Sequence, residues 1–83
     1  MEVIVTRQAE KQLVKLPKTE RKKVQRKLLL IESSPLSGKK LSAEFEGKRS
    51  LKAWPYRIIY SVDTQTNKIF ILSILHRQGA YKK

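Results

Sequence analysis

The chain has 83 residues, of which 19 are Lys or Arg and 7 are Asp or Glu, so its formal net charge is +12. With 40% hydrophobic residues it can form a core, which excludes a disordered basic tail, and its length predicts one domain over residues 1–83. It has no cysteine, no long apolar run, no signal-peptide pattern and no GxGxxG motif, so we expect a cytoplasmic protein, not a membrane protein, without disulfides, a transmembrane helix or a dinucleotide cofactor.

Positive charge is least compensated in the second half of the chain. Residues 1–46 hold 11 basic and 6 acidic side chains, whereas residues 47–83 hold 8 basic side chains and only Asp63 as an acid. Such an excess on a small domain is self-repulsive unless a polyanion binds it. Nucleic acid is the first candidate, followed by an acidic protein and an anionic membrane surface.

The first half of the chain predicts a short strand and two amphipathic helices. Residues 2–5 are β-branched, and Thr6 is a suitable N-cap for the helix that follows. Pro17 ends this helix at about residue 16, and Thr19 is the predicted cap of a second helix that stops at Ser33-Ser34-Pro35. Both helices repeat apolar residues at i, i+4 and i+7, namely Ala9, Leu13 and Leu16, then Val24, Leu28 and Ile31. The short turn between them indicates an antiparallel hairpin.

The second half predicts three strands after a turn-rich loop at residues 34–47. Leu36, Leu41 and Phe45 are the expected anchors of that loop. The strands are predicted at residues 48–54, 56–62 and 68–75, and a hairpin turn is predicted at residues 63–67. The last strand is the most apolar, so we place it centrally. The order β-α-α-β-β-β predicts an α+β fold, with an antiparallel-rich four-stranded sheet and the helical hairpin packed on one face.

Strand alternation predicts which side chains share the open face, the sheet face opposite the helices. The helices should cover the more apolar side of each strand. Arg49 does not fit this alternation and is expected at an edge. The open face then collects four cations and three serines: Lys48, Lys52, Arg57, Arg77, Ser50, Ser61 and Ser73. These cations are either ordinary solvated side chains or a site for an anion.

Two stretches near the C-terminal end resemble the RelE/ParE toxin superfamily. Tyr56-Arg57-Ile58-Ile59-Tyr60 is similar to the family's YR strand, and His76-Arg77 with Gly79-Ala80-Tyr81 is similar to its ending. Residues 9–18 and Ser34-Pro35 with Gly38 and Leu41 agree with the family pattern in the same order. The resemblance covers essentially the whole chain, and it implies the same β-α-α-β-β-β fold.

The resemblance also implies an activity. The RelE branch cleaves mRNA in the ribosomal A site by attack of a 2′-hydroxyl on the adjacent phosphate, using Lys, Arg and a C-terminal Tyr. By this likeness Arg57, Arg77 and Tyr81 are catalytic residues, together with Lys48 or Lys52. Ser50 departs from the pattern, because RelE-type enzymes often have Lys there. The RNA-binding set is expected to be Lys48, Lys52, Arg57, Arg77, Lys82 and Lys83.

The chemistry requires a base for the 2′-hydroxyl, cations for the phosphorane and an acid for the 5′-oxygen. Arg57 can hold two phosphate oxygens at once, and Arg77 is expected to act likewise or to assist the leaving group. Neighbouring cations favour the neutral form of an amine, so Lys52 or Lys48 is the candidate base. Tyr81 can stack on a base or orient the 2′-hydroxyl.

Each assignment has a structural alternative. Arg57 can form a salt bridge to Glu44 or Glu46, Arg77 can only position phosphate, and Tyr81 can cover the edge of the core. Glu46 is a possible base but more typical of a solvated loop.

Three other features of the sequence favour structural roles. His76 should lie on the face opposite Arg77 and play a structural part, and Trp54 before Pro55 is interpreted as a packing residue rather than a base-stacking platform. The basic face of the second helix is interpreted as a solvated surface or an rRNA contact. One histidine and scattered acids predict no metal site, and no cofactor is expected.

Three functions remain open at this point. The first is a toxin of a type II toxin–antitoxin system that acts as a metal-independent, ribosome-dependent endoribonuclease. The second is a ParE-type inhibitor of DNA gyrase, whose members typically lack the full set of cations and tyrosine. The third is an inactive relative that only binds antitoxin or RNA. The expected partners are an antitoxin encoded by the neighbouring gene and the ribosome with its mRNA.

Overall fold

A computed structural model describes residues 1–41 and 47–76 of the chain. Its elements, in chain order, are β1 (Glu2–Val5), α1 (Arg7–Val14), α2 (Lys18–Ser33), β2 (Lys39–Lys40), β3 (Arg49–Ala53), β4 (Tyr56–Asp63) and β5 (Lys68–His76). The strands form a sheet of order β1-β5-β4-β3-β2, in which β1 runs parallel to β5 and the other pairs are antiparallel. The predicted α+β fold is confirmed.

The predicted sheet lacked one strand. Residues 34–47 were expected to form a loop, but Lys39 and Lys40 pair with Ser50 and Arg49 as a two-residue edge strand, so the sheet has five strands over the described residues. The apolar strand β5 lies between β1 and β4, so it is an interior strand as expected, while β4 occupies the middle of the sheet.

Thr6 joins the start of α1 to the sheet. Its hydroxyl oxygen accepts the Ala9 N–H at 3.4 Å, which is the predicted N-cap, and the hydroxyl donates to the carbonyl of Ile71 at 2.7 Å. Beyond the end of β1, a residue of α1 hydrogen-bonds to the edge of β5: the Gln12 side-chain oxygen accepts the Ile74 N–H at 2.7 Å. The Thr6 hydroxyl and the Gln12 amide thus supply hydrogen-bond partners to β5 at and beyond the end of β1.

The second helix begins two residues earlier than predicted. Pro17, not Thr19, is its N-cap, and the Pro17 carbonyl accepts the Arg21 N–H at 2.8 Å. Proline is tolerated at this position because the backbone N–H groups at a helix start have no partner within the helix. The N–H that proline lacks is therefore not needed there. Val24 and Ile31 of α2 are fully buried, so the predicted stripe does face the sheet.

The core lies between the helices and one face of the sheet. It consists of Ala9, Leu16, Val24, Ile31, Ala53, Ile58, Tyr60, Ile69, Ile71 and Ile74. A β-bulge makes this possible, because Ile59 pairs with Ser73 but Tyr60 pairs with Ile71, which leaves Leu72 as an extra residue in β5. The sequence prediction assigned Ser73 to the open face, and uninterrupted alternation along β5 puts Ile71 and Ile69 on that same face. This prediction was wrong, since the bulge reverses the alternation and turns both isoleucines into the core.

Two side chains anchor the segment before β2. The Tyr60 hydroxyl donates to the Pro35 carbonyl and accepts the Gly38 N–H, both at 2.8 Å. Arg49 donates to the Gly38 carbonyl at 2.8 Å, so it ties this segment down at the edge where it was expected. Leu36, a predicted anchor, is instead 68% exposed. The predicted anchor Phe45 lies outside the described residues.

The β4–β5 turn is stabilised by a carboxylate. Asp63 Oδ1 accepts the N–H groups of Gln65 at 3.0 Å and Thr66 at 3.4 Å, and Asn67 adopts φ 60°. Hydrogen bonds from the Thr66 side chain and then its backbone lower the pKa of Asp63 below its ordinary value. The predicted hairpin turn is therefore confirmed.

Neither helix in the described part of the chain is long and apolar enough to cross a membrane.

Candidate functional site

The register of β3 and β4 brings Lys52 and Arg57 together. These two residues are direct cross-strand partners, and Arg57 in turn pairs with Leu75 of β5. Leu51 and Ala53, which flank Lys52, and Tyr56 and Ile58, which flank Arg57, pack in or against the core. Alternation therefore turns Lys52 and Arg57 to the open face. The sequence prediction that these two cations share the open face agrees with the pairing.

Arg57 has a rigid base because β4 is hydrogen-bonded to a strand on each side. Its side chain is half-buried. A guanidinium held on an interior strand loses less freedom on binding an oxyanion than one on a mobile loop. Glu44 and Glu46, the predicted salt-bridge alternatives for Arg57, lie outside the described residues.

Lys52 also contacts an aromatic ring. Its Nζ lies 5.5 Å from the centroid of the Trp54 ring, within the range of a cation–π interaction. Lys48 immediately precedes β3, and its carbonyl accepts the Leu41 N–H at 3.0 Å. Lys48, Ser50 and Lys52 occupy alternate positions in the chain, so alternation assigns Lys48 to the same side of the sheet as Lys52.

A second row of residues crosses the open face beside the first. Ser50 pairs with Lys39 on one side and Ile59 on the other, and Ile59 pairs with Ser73. Ser50 and Ile59 are each only 4% exposed, although neither belongs to the core under the helices. The position at which RelE-type enzymes often have Lys is therefore a buried serine.

Lys39 is a cation that the sequence prediction missed. Its pairing with Ser50 assigns it to the open face, next to the row that holds Lys52 and Arg57. A two-residue strand within a turn-rich segment gives no alternation to read, so the sequence carries no signal for it. Among the described residues, these two cross-strand rows contain Lys39, Lys52 and Arg57 and no acidic residue, and such cations can attract an anion.

The remaining predicted site residues are Arg77, Tyr81, Lys82 and Lys83, and all of them lie outside the described residues. His76, the last residue of β5, pairs with Tyr56, and their rings meet edge to face with centroids 5.4 Å apart. This aromatic contact agrees with the structural role expected for His76. Within residues 1–41 and 47–76, no group of three His, Asp or Glu side chains could hold a metal ion.

Trp54 contradicts its predicted packing role. The ring is 54% exposed and lines a groove beside α2. The residue lies in the β3–β4 turn at the end of the sheet, where the core does not extend far enough to cover an indole.

Several solved structures with the same fold are toxin–antitoxin complexes. The RelBE2 complex of Mycobacterium tuberculosis contains a chain that is 31% identical, with a TM-score of 0.84 over 92% of this chain and 96% of that one. The archaeal RelE–RelB complex of Pyrococcus horikoshii matches at 26% identity and a TM-score of 0.79, covering 95% and 97% of the two chains. The YoeB–YefM complex of Staphylococcus aureus matches at 25% identity and 0.74, covering 92% and 95%.

Sequence comparison agrees with these structural matches. No curated protein sequence matches the chain significantly. The model of the family described as the ParE toxin of the type II toxin-antitoxin system, parDE, matches residues 3–81, which is nearly the whole chain. The chain therefore belongs to the ParE toxin family of type II toxin–antitoxin systems, within the RelE/ParE superfamily.

Proposed function

We propose that this toxin is a ribosome-dependent endoribonuclease that cleaves mRNA in the ribosomal A site. The observation that carries the proposal is the cross-strand pair of Lys52 and Arg57 on the open face, in rows that contain no acidic residue. The 31% identity to the RelBE2 toxin–antitoxin complex supports it, as does the resemblance to the RelE branch. The proposed place of action is the cytoplasm, where ribosomes translate.

The proposed reaction is an intramolecular transesterification. The 2′-oxygen attacks the adjacent phosphorus as its proton passes to a base, and the bond to the 5′-oxygen breaks as that oxygen receives a proton. The products are a 2′,3′-cyclic phosphate and a free 5′-hydroxyl. Arg57 stabilises the negative charge that accumulates on the phosphorane oxygens. Lys48 or Lys52 is the proposed base, and Arg77 and Tyr81 are proposed to complete the site.

The test is a purified translation system with a defined mRNA. We expect the wild-type protein to cut the mRNA at codon-linked positions when ribosomes are present and to leave naked mRNA intact. Arg57→Ala should slow cleavage about 10²- to 10³-fold, the usual cost of removing one oxyanion donor. Arg57→Lys should recover only part of the loss, because an ammonium cannot hold two oxygens in one plane.

Lys68→Ala is the matched control for these variants. Lys68 begins β5 and pairs with Glu2 and Asp63, far along the sheet from the row that holds Arg57. Its removal changes the net charge by the same amount, so it should leave the cleavage rate unchanged. Equal losses in Lys68→Ala and Arg57→Ala would mean that only overall charge matters and would count against a specific role for Arg57.

The description of the matching family favours a second candidate, a ParE-type inhibitor of DNA gyrase. Intact mRNA together with inhibited supercoiling by purified gyrase would support this candidate and reject the first. The buried Ser50 supports a third, an inactive relative, for which neither assay should respond.

We also propose an antitoxin partner encoded by the neighbouring gene. The similar structures from M. tuberculosis, P. horikoshii and S. aureus are complexes of a toxin with its antitoxin. A chain with a net charge of +12 suits an acidic, amphipathic segment that wraps its surface. Co-expression of the neighbouring gene should give a complex that purifies intact and suppresses mRNA cleavage.

A further inference from the structure

A groove separates α2 from the β3–β4 turn, and it adjoins the Lys52–Arg57 row at Trp54, whose ring centroid lies 5.5 Å from Lys52 Nζ. Its volume is about 330 Å³, and it is lined by Lys23, Arg26, Lys27, Leu30, Ala53 and Trp54. The four helical residues have the spacing i, i+3, i+4 and i+7, so they form one face of α2. Three cations therefore border a groove whose other walls are apolar.

The apolar wall is unusually accessible. Trp54 is 54% exposed and Leu30 is 38% exposed, whereas Ala53 beneath them is 3% exposed. An indole that is half open to water beside an exposed leucine keeps apolar area in contact with solvent, which costs free energy unless a ligand covers it. The lining residues include no acid, although one of the three cations, Lys23, forms an ion pair with Glu20 of the same helix at 3.7 Å.

The dimensions of the groove favour a flat ring over a helix. Binding pockets for small molecules usually have volumes of about 300–1,000 Å³, so this groove lies at the lower end of that range. An amphipathic helix would need a continuous series of apolar pockets at helical spacing, whereas the groove offers only Leu30, Ala53 and Trp54. An aromatic surface with cations around it is the arrangement that binds a nucleobase and its phosphates.

We propose that this groove binds single-stranded RNA, with one base stacked on Trp54 and the flanking phosphates held by Lys23, Arg26 and Lys27. The groove lies beside the proposed cleavage site and meets it where Lys52 Nζ contacts the Trp54 ring, but its three helical cations belong to α2 and not to that site. It requires no catalysis, so it can be correct whether or not the protein cuts RNA.

Trp54 is the sole tryptophan of the chain, so the intrinsic tryptophan fluorescence reports on contact between a ligand and this residue. The probe is a 2′-O-methyl oligoribonucleotide of about 8 nucleotides, a usual site size for single strands, which has no 2′-hydroxyl and cannot be cleaved. Inorganic polyphosphate, an anion without bases, is the comparison ligand. We expect the oligonucleotide to quench Trp54 fluorescence saturably and polyphosphate to leave it unchanged at equal charge concentration.

Two sets of variants separate stacking from charge. Trp54→Ala should weaken binding of a labelled oligonucleotide about 5- to 150-fold, whereas Trp54→Phe should bind nearly as well as the wild type because it keeps an aromatic ring. Arg26→Gln should lower the slope of log affinity against log salt by about 1. Lys22→Gln removes the same charge from an exposed residue of α2 outside the groove lining, so it should leave the slope unchanged.

Several results would overturn the proposal. The interaction would be general electrostatics if Trp54→Ala bound the oligonucleotide as tightly as the wild type does. The same conclusion would follow if polyphosphate quenched Trp54 fluorescence as strongly as the oligonucleotide. A poly-glutamate peptide that quenches Trp54 at lower concentration than the oligonucleotide would assign the groove to an acidic protein instead. If Trp54→Ala does not fold, as judged by thermal unfolding, the comparison of Arg26→Gln with Lys22→Gln decides the outcome.

Discussion

The hydroxyl of Tyr60 joins the middle strand of the sheet to the segment that leads into β2, and Tyr60→Phe removes only that hydroxyl. The ring is fully buried, so the variant keeps its packing and creates almost no cavity. Two hydrogen bonds of 2.8 Å disappear, one from the Gly38 N–H and one to the Pro35 carbonyl. The perturbation is therefore a test of buried polar contacts alone.

The two bonds allow a magnitude to be worked out. Gly38 is buried, so its N–H would lose its partner at a cost of about 1–3 kcal/mol, and the bond to Pro35 adds about 0.5–1.5 kcal/mol. We expect the free energy of unfolding to fall by about 2–4 kcal/mol. For a domain of this size, that corresponds to a decrease in Tm of at least about 8 °C.

Urea denaturation followed by circular dichroism gives the measurement. The midpoint should fall while the m-value stays constant, since the native fold is kept. Tyr56→Phe is the matched control, because Tyr56 lies on the same strand and face and has no hydrogen bond to its hydroxyl among the described residues. If the two variants differ by less than about 0.5 kcal/mol, the ordinary range for neutral substitutions, then Tyr60 does not anchor this segment as argued.

Two further predictions concern single residues at turns. In Gly38→Ala the new Cβ would lie 2.5 Å from the Tyr60 hydroxyl oxygen, so we expect a loss of about 1–3 kcal/mol from overpacking; a double-mutant cycle with Tyr60→Phe should show a combined cost below the sum, and strict additivity would contradict the contact. Because the pKa of Asp63 is lowered in the folded state, its carboxylate stabilises the protein above the unfolded pKa, and this contribution is lost as pH falls through the folded pKa. Asp63→Asn should therefore flatten the acid side of the stability profile below about pH 4, and an unchanged acid profile would argue against the turn contact.

The strands with regular pairing were predictable from alternation. Polar and apolar residues alternate clearly in β3 and β4, which pair without a register shift between Arg49 and Ala53, so the shared face of Lys52 and Arg57 followed from the sequence. The sequence of β5 is apolar almost throughout. Because its sequence has too few polar residues to mark one face, it does not indicate that Leu72 is an extra residue. The reversal of the alternation at Leu72 is visible only in the structure.

Other features depend on contacts between distant residues. The β2 strand is anchored by Tyr60, whose partners Pro35 and Gly38 lie 25 and 22 residues away along the chain, and local propensity cannot anticipate such a contact. Trp54 was expected to be packed because large apolar side chains usually are. Its position in a turn at the end of the sheet, which only the fold defines, leaves it accessible instead.

The parallel pairing of β1 with β5 has a consequence for the order in which the protein is made. Glu2–Val5 are synthesised long before their partners at Lys68–Ile71, and the Thr6 side chain bonds across a separation of 65 residues. A nascent chain that has not yet released β5 from the exit tunnel leaves β1 with nothing to pair with and α1 with no strand edge to cover. Assembly of the sheet, and with it any harm the molecule can do to the cell, is therefore postponed until β5 has been synthesised and released from the tunnel.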